Sequence, residues 1–498
     1  MSTSDEPPTR EGRLKRLISR KKPLTEPDAS GHEADVERWR ANDPKWNESS
    51  SVPEGERVDL HCVWGVEFYT PSHFDGLVSS FERLAHDMLQ RGLSSRSDPA
   101  EWLHSLHPSR FSGGWLYLDP FAPTEQMIYA VGAQYKVPMP EYFRYAVAKL
   151  HSVSDSLTAL VVAFVLTDEH SKSIHELLQR DRESSLIPKG QGYTVYDPAN
   201  QKRDDLKRLR DERSAAITDW FGDQFPGVFS SGTRQGTMPT CELITTRQAV
   251  PFPAHVEREG LMGHFMGLLG IDIGWYAWKS ADTAGLRFGT IFGSRYHAVM
   301  AVREDELTAA MGEDSESSRS ARVQYVELAA GEVVLAWAIT VLIDECTTQM
   351  VKARNTQLQE IKSRDRAVAA LDDIENEMLG AADVAAVAVE LTEHAGARRL
   401  FRDSVPTFIP VEPGQGEESI SMADRRHEDI HDKASWLQQF ELATRERATQ
   451  IGTLIGASEN VRLQKSIKRF TIAVAAMTVV GVTVVLIPGV RWILDLWA

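Results

Sequence analysis

Three shortages narrow the reading. The chain has 3 cysteines in 498 residues, Cys62, Cys241 and Cys346, and none sits in a C-x-x-C pair. That spacing suggests neither a thiolate zinc site nor a disulfide framework, and it fits a reducing cytoplasm. Positive charge is scarce: 55 Lys and Arg stand against 71 Asp and Glu, a formal net charge of −16. This argues against nonspecific nucleic-acid binding, and no nucleic-acid partner is expected. Long apolar runs are scarcer still. The basic stretch from Arg13 to Lys22 is not followed by one, so it does not read as a signal peptide. The first 469 residues hold nothing comparable with the run that comes after them.

That run is Phe470 to Ile487, eighteen residues without a charge. As a helix rising ~1.5 Å per residue it reaches ~27 Å, close to the hydrocarbon thickness of a bilayer. Arg462, Lys465, Lys468 and Arg469 precede it, and Trp492 and Trp497 follow it. Basic residues before a span and aromatics after it are the flanks of a membrane helix. The expectation is a single-pass protein of the plasma membrane, with the bulk of the chain in the cytoplasm and the C-terminus outside. The bilayer is then its first partner, through residues 470–487.

The composition, 42% hydrophobic and 25% charged, is that of a globular protein with ample core. Residues 1–55, rich in Pro, Ser and charge, read as a disordered tail. Residues 56–317 alternate strand-like and helix-like patterns, as a mixed α/β layer does. Strands are expected at Val58–Tyr69, Gly114–Asp119, Met127–Val131, Leu157–Leu166, Cys241–Thr245, Ile271–Ala277, Leu286–Phe292 and Tyr296–Val302. Helices are expected at Phe74–Arg91, Tyr142–Ser152 and over residues 199–222. Residues 318–403 read as helical, and Tyr325 to Ile343, apolar nearly all round, as a buried helix. Residues 404–421 form a Pro- and Gly-containing loop. Residues 422–469 read as a stalk helix whose positions Ile430, Leu437, Phe440, Ile451, Leu454 and Val461 fit a coiled-coil-like a/d pattern, interrupted at Thr444, Arg447 and Ser458. Joined to the span, it makes a rod of roughly 65 residues and ~100 Å. Residues 488–498 are a short interfacial tail. The fold class is therefore a mixed α/β (α+β) cytoplasmic domain, then long helices, then one C-terminal transmembrane helix. The stalk and span suggest a homo-oligomer.

Motifs carry less. His427-Glu428-Asp429-Ile430-His431 matches H-E-x-x-H. Two histidines four apart share a helix face and can bind zinc, with the Glu as general base. Here Arg425, Arg426, Asp429 and Asp432 crowd the string, as they would on a solvated helix face. Gly260, Gly263, Gly267, Gly270 and Gly274 lack the clustering of a phosphate-binding loop and read as close backbone packing. His104 with His107, and His170 with His175, read as surface or core histidines. The acidic residues Glu304–Glu306 read as a solvated loop. No motif identifies a cofactor or a nucleophile.

The stretch from Ser458 through Lys468-Arg469-Phe470-Thr471 to Ile487, and the order of α/β domain, helical section and long helix entering the membrane, resemble CorA-type magnesium transporters. The resemblance implies a divergent oligomer that conducts or senses divalent cations. Where that family carries a Gly-Met-Asn signature, this chain has Ile487-Pro488-Gly489-Val490, and Arg491–Ala498 is too short for the second span. No functional residue carries over.

The motif's alternative reading, a membrane-anchored H-E-x-x-H metallopeptidase with zinc on His427 and His431, is tested by metal analysis. A solvated helix face predicts no zinc in the purified chain and no change in His431→Ala; stoichiometric zinc lost in that variant would establish the metal site.

Overall fold

The computed structural model describes residues 33–90, 98–109, 114–124, 134–189, 192–231, 238–254, 264–272, 274, 277–282, 285–291, 293–312, 318–360, 387, 389–391, 408–412, 420–440 and 463–472, with isolated positions from 442 to 453. The strand expected at Met127–Val131 and the span beyond Ile472 lie outside these residues.

Two long strands carry the centre of the sheet. β1 (Val58–Tyr69) is buried along its whole length, as is β6 (Leu157–Leu166). Both are rich in Val, Leu and aromatics, which suit a pleated surface covered on both faces. Around them, in chain order, are helices α1 (Glu33–Arg40), α2 (Asp43–Ser50), α3 (Pro71–Gln90) and α4 (Pro99–Ser109). Strands β2 (Trp115–Tyr117), β3 (Phe121–Ala122), β4 (Tyr135–Lys136) and β5 (Phe143–Ser154) follow. After β6 come α5 (Asp168–Ser171), α6 (Ser173–Gln179), the hairpin β7 (Ser185–Lys189) and β8 (Gly192–Tyr196), and α7 (Pro198–Gln224). Then come β9 (Thr240–Thr246), α8 (His264–Leu269), β10 (Trp278–Ser280), β11 (Arg287–Thr290), β12 (His297–Arg303), α9 (Glu304–Met311), α10 (Arg319–Glu360) and β13 (Phe408–Pro410).

Apart from the β7–β8 hairpin, the strands among the described residues join one 11-stranded sheet, ordered β13-β10-β11-β12-β9-β1-β6-β5-β3-β4, with β2 also on β5. The later strands thus complete the first sheet. Pairing is antiparallel except for β9 with β12 and β3 with β4. A bulge between Leu60 and Cys62 shifts the β1–β9 register.

The alternation of β1 sorts the two faces. Trp64 and its neighbour Ala163 turn toward α10, where the Trp64 indole meets Glu327. Gly65 and Glu67 turn to the other face, where α7 and the turn at 227–230 lie. There Phe164, Trp220, Phe221 and Phe225 build an aromatic core with ring centroids 5.0 to 6.1 Å apart. A Cβ at Gly65 would lie 2.6 Å from Ile217 and 3.1 Å from Phe221, so glycine lets α7 approach the strand. Asp197 caps α7 by accepting from the Asn200 N–H at 2.8 Å, and Pro198 occupies the first turn.

Several expectations change. The helix expected at Tyr142–Ser152 is instead strand β5 from Phe143 onward, because pairing with β6 from Phe143 to Ser154 outweighs the helix preference of Ala, Leu and Lys. Within 271–277 the described residues form no strand; β10 begins at Trp278. Glu304–Glu306 open helix α9, where acidic side chains favour the N-terminal end. The tail expected over 1–55 becomes helical from Glu33. Asp43 accepts from the Ser184 N–H at 2.8 Å, and the Asn47 amide donates to Arg182 O at 2.8 Å, fixing α2.

The chain divides into two units, one comprising residues up to Val341 with His394–Asp429, the other Leu342–Glu393 with Ile430–Ala498. α10 contributes to both. Its segment Arg319–Thr348 is the one helix among the described residues long and apolar enough to cross a membrane, and it is buried. In the second unit Lys433 pairs with Asp344 at 2.7 Å. Residues 422–440 are helical, as are 463–472.

Gly65→Ala is expected to force α7 off β1 and lower stability by ~1–3 kcal/mol, as overpacking does. Chemical denaturation of the purified chain measures it.

Candidate functional site

The charged residues of the first unit that sit inside apolar elements decide what the domain can do. Between α10 and the sheet they form one line. Glu327 accepts the Trp64 indole N–H, and one helical turn further Glu332 accepts from the Lys149 ammonium. All four side chains are buried. Lys149 also lies 4.4 Å from the Trp115 ring centroid and 4.9 Å from that of Tyr117. The two aromatic residues are themselves exposed, so they roof the buried ammonium from the solvent side. The two rings meet edge to face at 4.8 Å. His151, two residues along β5 on the same face, is buried, with both ring nitrogens unpartnered.

Two carboxylates therefore share one lysine out of water. Burial pushes Glu327 up to about 7; the Trp64 hydrogen bond and Lys149 oppose this, and Glu332 adds to it. Burial pushes His151 down to about 3, with Lys149 assisting. His61, at the β1 bulge, is likewise pushed down to about 3 by burial, then by Arg322, Arg319 and Arg57, and meets the Thr245 hydroxyl at 2.8 Å.

On the opposite face the charges act as staples. Glu67 accepts backbone N–H groups from Phe68 at 2.9 Å, Phe229 at 2.8 Å and Ser230 at 2.9 Å, which locks the turn after α7. Burial still raises it to about 7, against those bonds. A Cβ on Gly227 would strike Glu67 and the Phe68 carbonyl at 2.6 Å, so the turn requires glycine. Glu242 takes Arg210 Nε at 2.9 Å and faces Arg213 at 3.8 Å. Glu56 similarly accepts from the N–H groups of Arg247 at 2.6 Å and Ala249 at 2.6 Å.

Two depressions among the described residues lie apart from the charges under α10. One, of about 750 Å³, is lined by Arg247, Gln248, Arg303, Glu304, Asp305 and Thr308 and is open to solvent. Arg303 there pairs with Asp305 and sits 3.9 Å from Glu306, so its charge is matched. The other, of about 650 Å³, lies on the β11–β12 loop around Arg295 and Tyr296.

The sequence candidates fall elsewhere. His427 and His431 sit on successive turns of the 422–440 helix, His427 half-buried and His431 exposed. Among the described residues no group of three or more His, Cys, Asp and Glu is placed to hold a metal. His170 belongs to the N-terminal cap of α5, its Nδ1 2.9 Å from the Thr167 hydroxyl. His104 lies on α4 and His175 on α6. Cys62 and Cys241 are buried free thiols on neighbouring strands, both pushed up by burial, which makes them poor nucleophiles. Sequence reasoning missed Glu67, Glu242, Lys149, Glu327 and Glu332. Each is a single charge within an apolar run, and that isolation was the available signal.

No protein-family model matches the chain, and no curated protein matches it.

The arrangement holds a proton rather than presenting a nucleophile. Glu327 and Glu67 keep protons in the folded state that the unfolded chain releases above ~4.5. Their contribution to stability falls as pH rises from 4.5 to about 7. His61 and His151 act in the opposite sense: their stabilising neutrality is complete above 6.5 and is lost as pH falls toward 3. Glu327→Gln keeps an acceptor for Trp64 without the carboxylate. It is expected to match the wild type near pH 5 and to gain roughly 3 kcal/mol by pH 8. Melting temperatures at the two pH values test this, and an equal difference at both would overturn it.

Proposed function

We propose that this chain is a noncatalytic, single-span membrane protein. Its mixed α/β domain is a cytoplasmic binding or sensing module, and its long helices assemble copies of the chain. The observation that carries the membrane reading is the helix at 463–472. It leaves Leu463, Ile467, Phe470 and Ile472 exposed, each by more than half. It also leads directly into the uncharged sequence that ends at Ile487. Phe470 and Ile472 fall within 470–487, where a bilayer would cover them. Lys465, Lys468 and Arg469 before the run support a cytoplasmic location for the bulk of the chain, with the C-terminus outside. The noncatalytic reading rests on what the buried charges do: Glu56, Glu67, Glu242 and Glu327 are each occupied in holding backbone or side-chain donors.

A second reading is a divergent CorA-like oligomer that conducts or senses divalent cations. The order of sheet domain, the 42-residue helix α10 and a further long helix supports it.

The full chain is expected to resist alkaline carbonate extraction, and a chain ending at Arg469 to be released by it. Release of the full chain would remove the span. Light scattering of the detergent-extracted chain separates the two readings. A pentamer favours the ion-conducting organisation; a monomer or dimer favours the anchored binding module.

A further inference from the structure

Lys149, Glu327 and Glu332 bring two carboxylates and one ammonium into the interface between α10 and the sheet. With one proton on the carboxylates the cluster is neutral. Without it a net negative charge is left out of water, which is costly. A Cβ at Gly331 would lie 2.6 Å from a Glu327 carboxylate oxygen, so glycine makes room for that carboxylate beside the helix. Each neighbouring element faces the cluster with a polar or titratable group. β1 supplies the Trp64 indole and the Cys62 thiol, β5 supplies Lys149 and His151, β2 supplies Tyr117, and α10 itself supplies Glu332. Lys149 is the one cation among these.

The walls of the cluster differ in strength. β1 and β6 are buried along their whole length, and α10 is buried without interruption from Ala330 to Ile343. β2 is three residues long and, among the described residues, pairs only with β5. Two backbone bonds bracket it: Leu118 N–H donates to Ala148 O at 3.0 Å, and Ser152 N–H to Gly114 O at 2.9 Å. Trp115 and Tyr117 of β2 stand between Lys149 and solvent, and both are exposed. Local opening costs least where a short element has few buried contacts. Lifting β2 admits water to Lys149 and so to both carboxylates, and it leaves the Phe288–Trp337 contact of α10 in place.

We propose that β2 is a hinged cover held shut by the proton beneath it, and that loss of this proton opens the strand and wets the Lys149–Glu327–Glu332 cluster. This rests on the sensing reading of the domain and names the signal as the proton; it stands apart from the membrane reading. The sign follows from burial. Closed, Glu327 keeps its proton up to about 7, against 4.5 in water. Opening therefore becomes easier as pH rises from 4.5 to about 7 and levels off above that. His151 lies opposite Trp115 in the β2–β5 register, buried without a partner, and acts in the reverse sense. Wetted, it takes a proton below 6.5; buried, only near 3, so it favours opening as pH falls. Burial pushes the Cys62 thiol and the Tyr117 hydroxyl up, so both stay neutral across this range.

The test is hydrogen–deuterium exchange of the full, detergent-extracted chain, followed by mass spectrometry and corrected for the intrinsic pH dependence of amide exchange. At each pH the wild type is compared with Glu327→Gln. Both carry His151, so the contribution of the histidine cancels. Exchange at the Leu118 and Ser152 amides of the wild type, relative to the variant, should rise roughly tenfold or more between about pH 5 and about pH 7. The Ile291 amide, bonded to His297 O at 3.1 Å beside β11 and β12, should show no such rise. The double variant Trp115→Ala, Tyr117→Ala leaves the cluster wet at all times. It should exchange fast at both amides and lose the pH step. A wild-type-to-Gln ratio that does not change with pH overturns the proposal. So does a rise shared equally by Ile291, which is global unfolding, and so does a double variant that keeps the full step. Each of these removes the proton as the signal and leaves the membrane anchor to its own test by carbonate extraction.

Discussion

Burying α10 against the sheet is the constraint on which the first unit turns. The helix is apolar enough to cross a membrane, and left in water its surface would drive aggregation. The sheet gives it somewhere to go: Phe288 on β11 approaches Trp337 of α10, with ring centroids 6.3 Å apart. Yet α10 also carries Glu327 and Glu332 into that interface, and an uncompensated carboxylate there would cost more than the helix gains locally. Trp64 and Lys149 resolve the conflict from two different strands. They also fix the rotation of the helix, since apolar packing alone would tolerate several settings of a helix that is greasy on every side. Apolar area supplies the drive, and two polar contacts select the geometry.

The opposite face solves a different problem with the same means. α7 is charged along much of its length and cannot seat by greasy contact alone. Its inner residues Leu206, Ile217, Trp220 and Phe221 are apolar, while Arg210 and Arg213 reach down to Glu242 on β9. Glu67 then catches the chain as it leaves the helix. A buried carboxylate that takes three backbone donors does for a turn what a helix cap does for a helix end: it satisfies groups that would otherwise be stranded. The two faces thus place acidic groups under neutral or cationic donors. Histidines kept neutral by burial offset the alkaline sensitivity those acids create.

Much of the framework was legible because its signals were local. β1 and β6 are long runs of Val, Leu and aromatics. α3 shows a helix-period stripe, and α10 a uniformly apolar stretch; each falls where the pattern places it. β5 was misread because Tyr-Ala-Val-Ala-Lys-Leu has the residues of a helix, and its strand identity comes from partners near residues 117 and 160, which a local window does not see. α1 and α2 were hidden for a related reason. Their polar sequence has little stripe, and they are held by Arg40 at the end of α1 and by Asp43 and Asn47 of α2, all bonding to residues near 183. The polar line under α10 needed both: Lys149 and Glu332 are 183 residues apart, and no spacing rule joins them. For the helix 463–472, the cations and the uncharged run were plain in the sequence. The folded chain adds that every residue from 463 to 472, polar and apolar alike, is exposed.

α10 runs 42 residues without a break and crosses from one unit of the chain to the other after Val341. A helix has a phase as well as a length. Each residue inserted or deleted near Val341 would turn the rest of the helix by ~100° and shift it by ~1.5 Å relative to Glu327 and Glu332. Point substitutions at that crossing disturb packing only locally, whereas a single-codon insertion re-aims Asp344. The place of Asp344 on the helix surface therefore depends on residue count. Identity counts there as well as number, since Leu335, Trp337, Ile339 and Leu342 between Glu332 and Asp344 are buried.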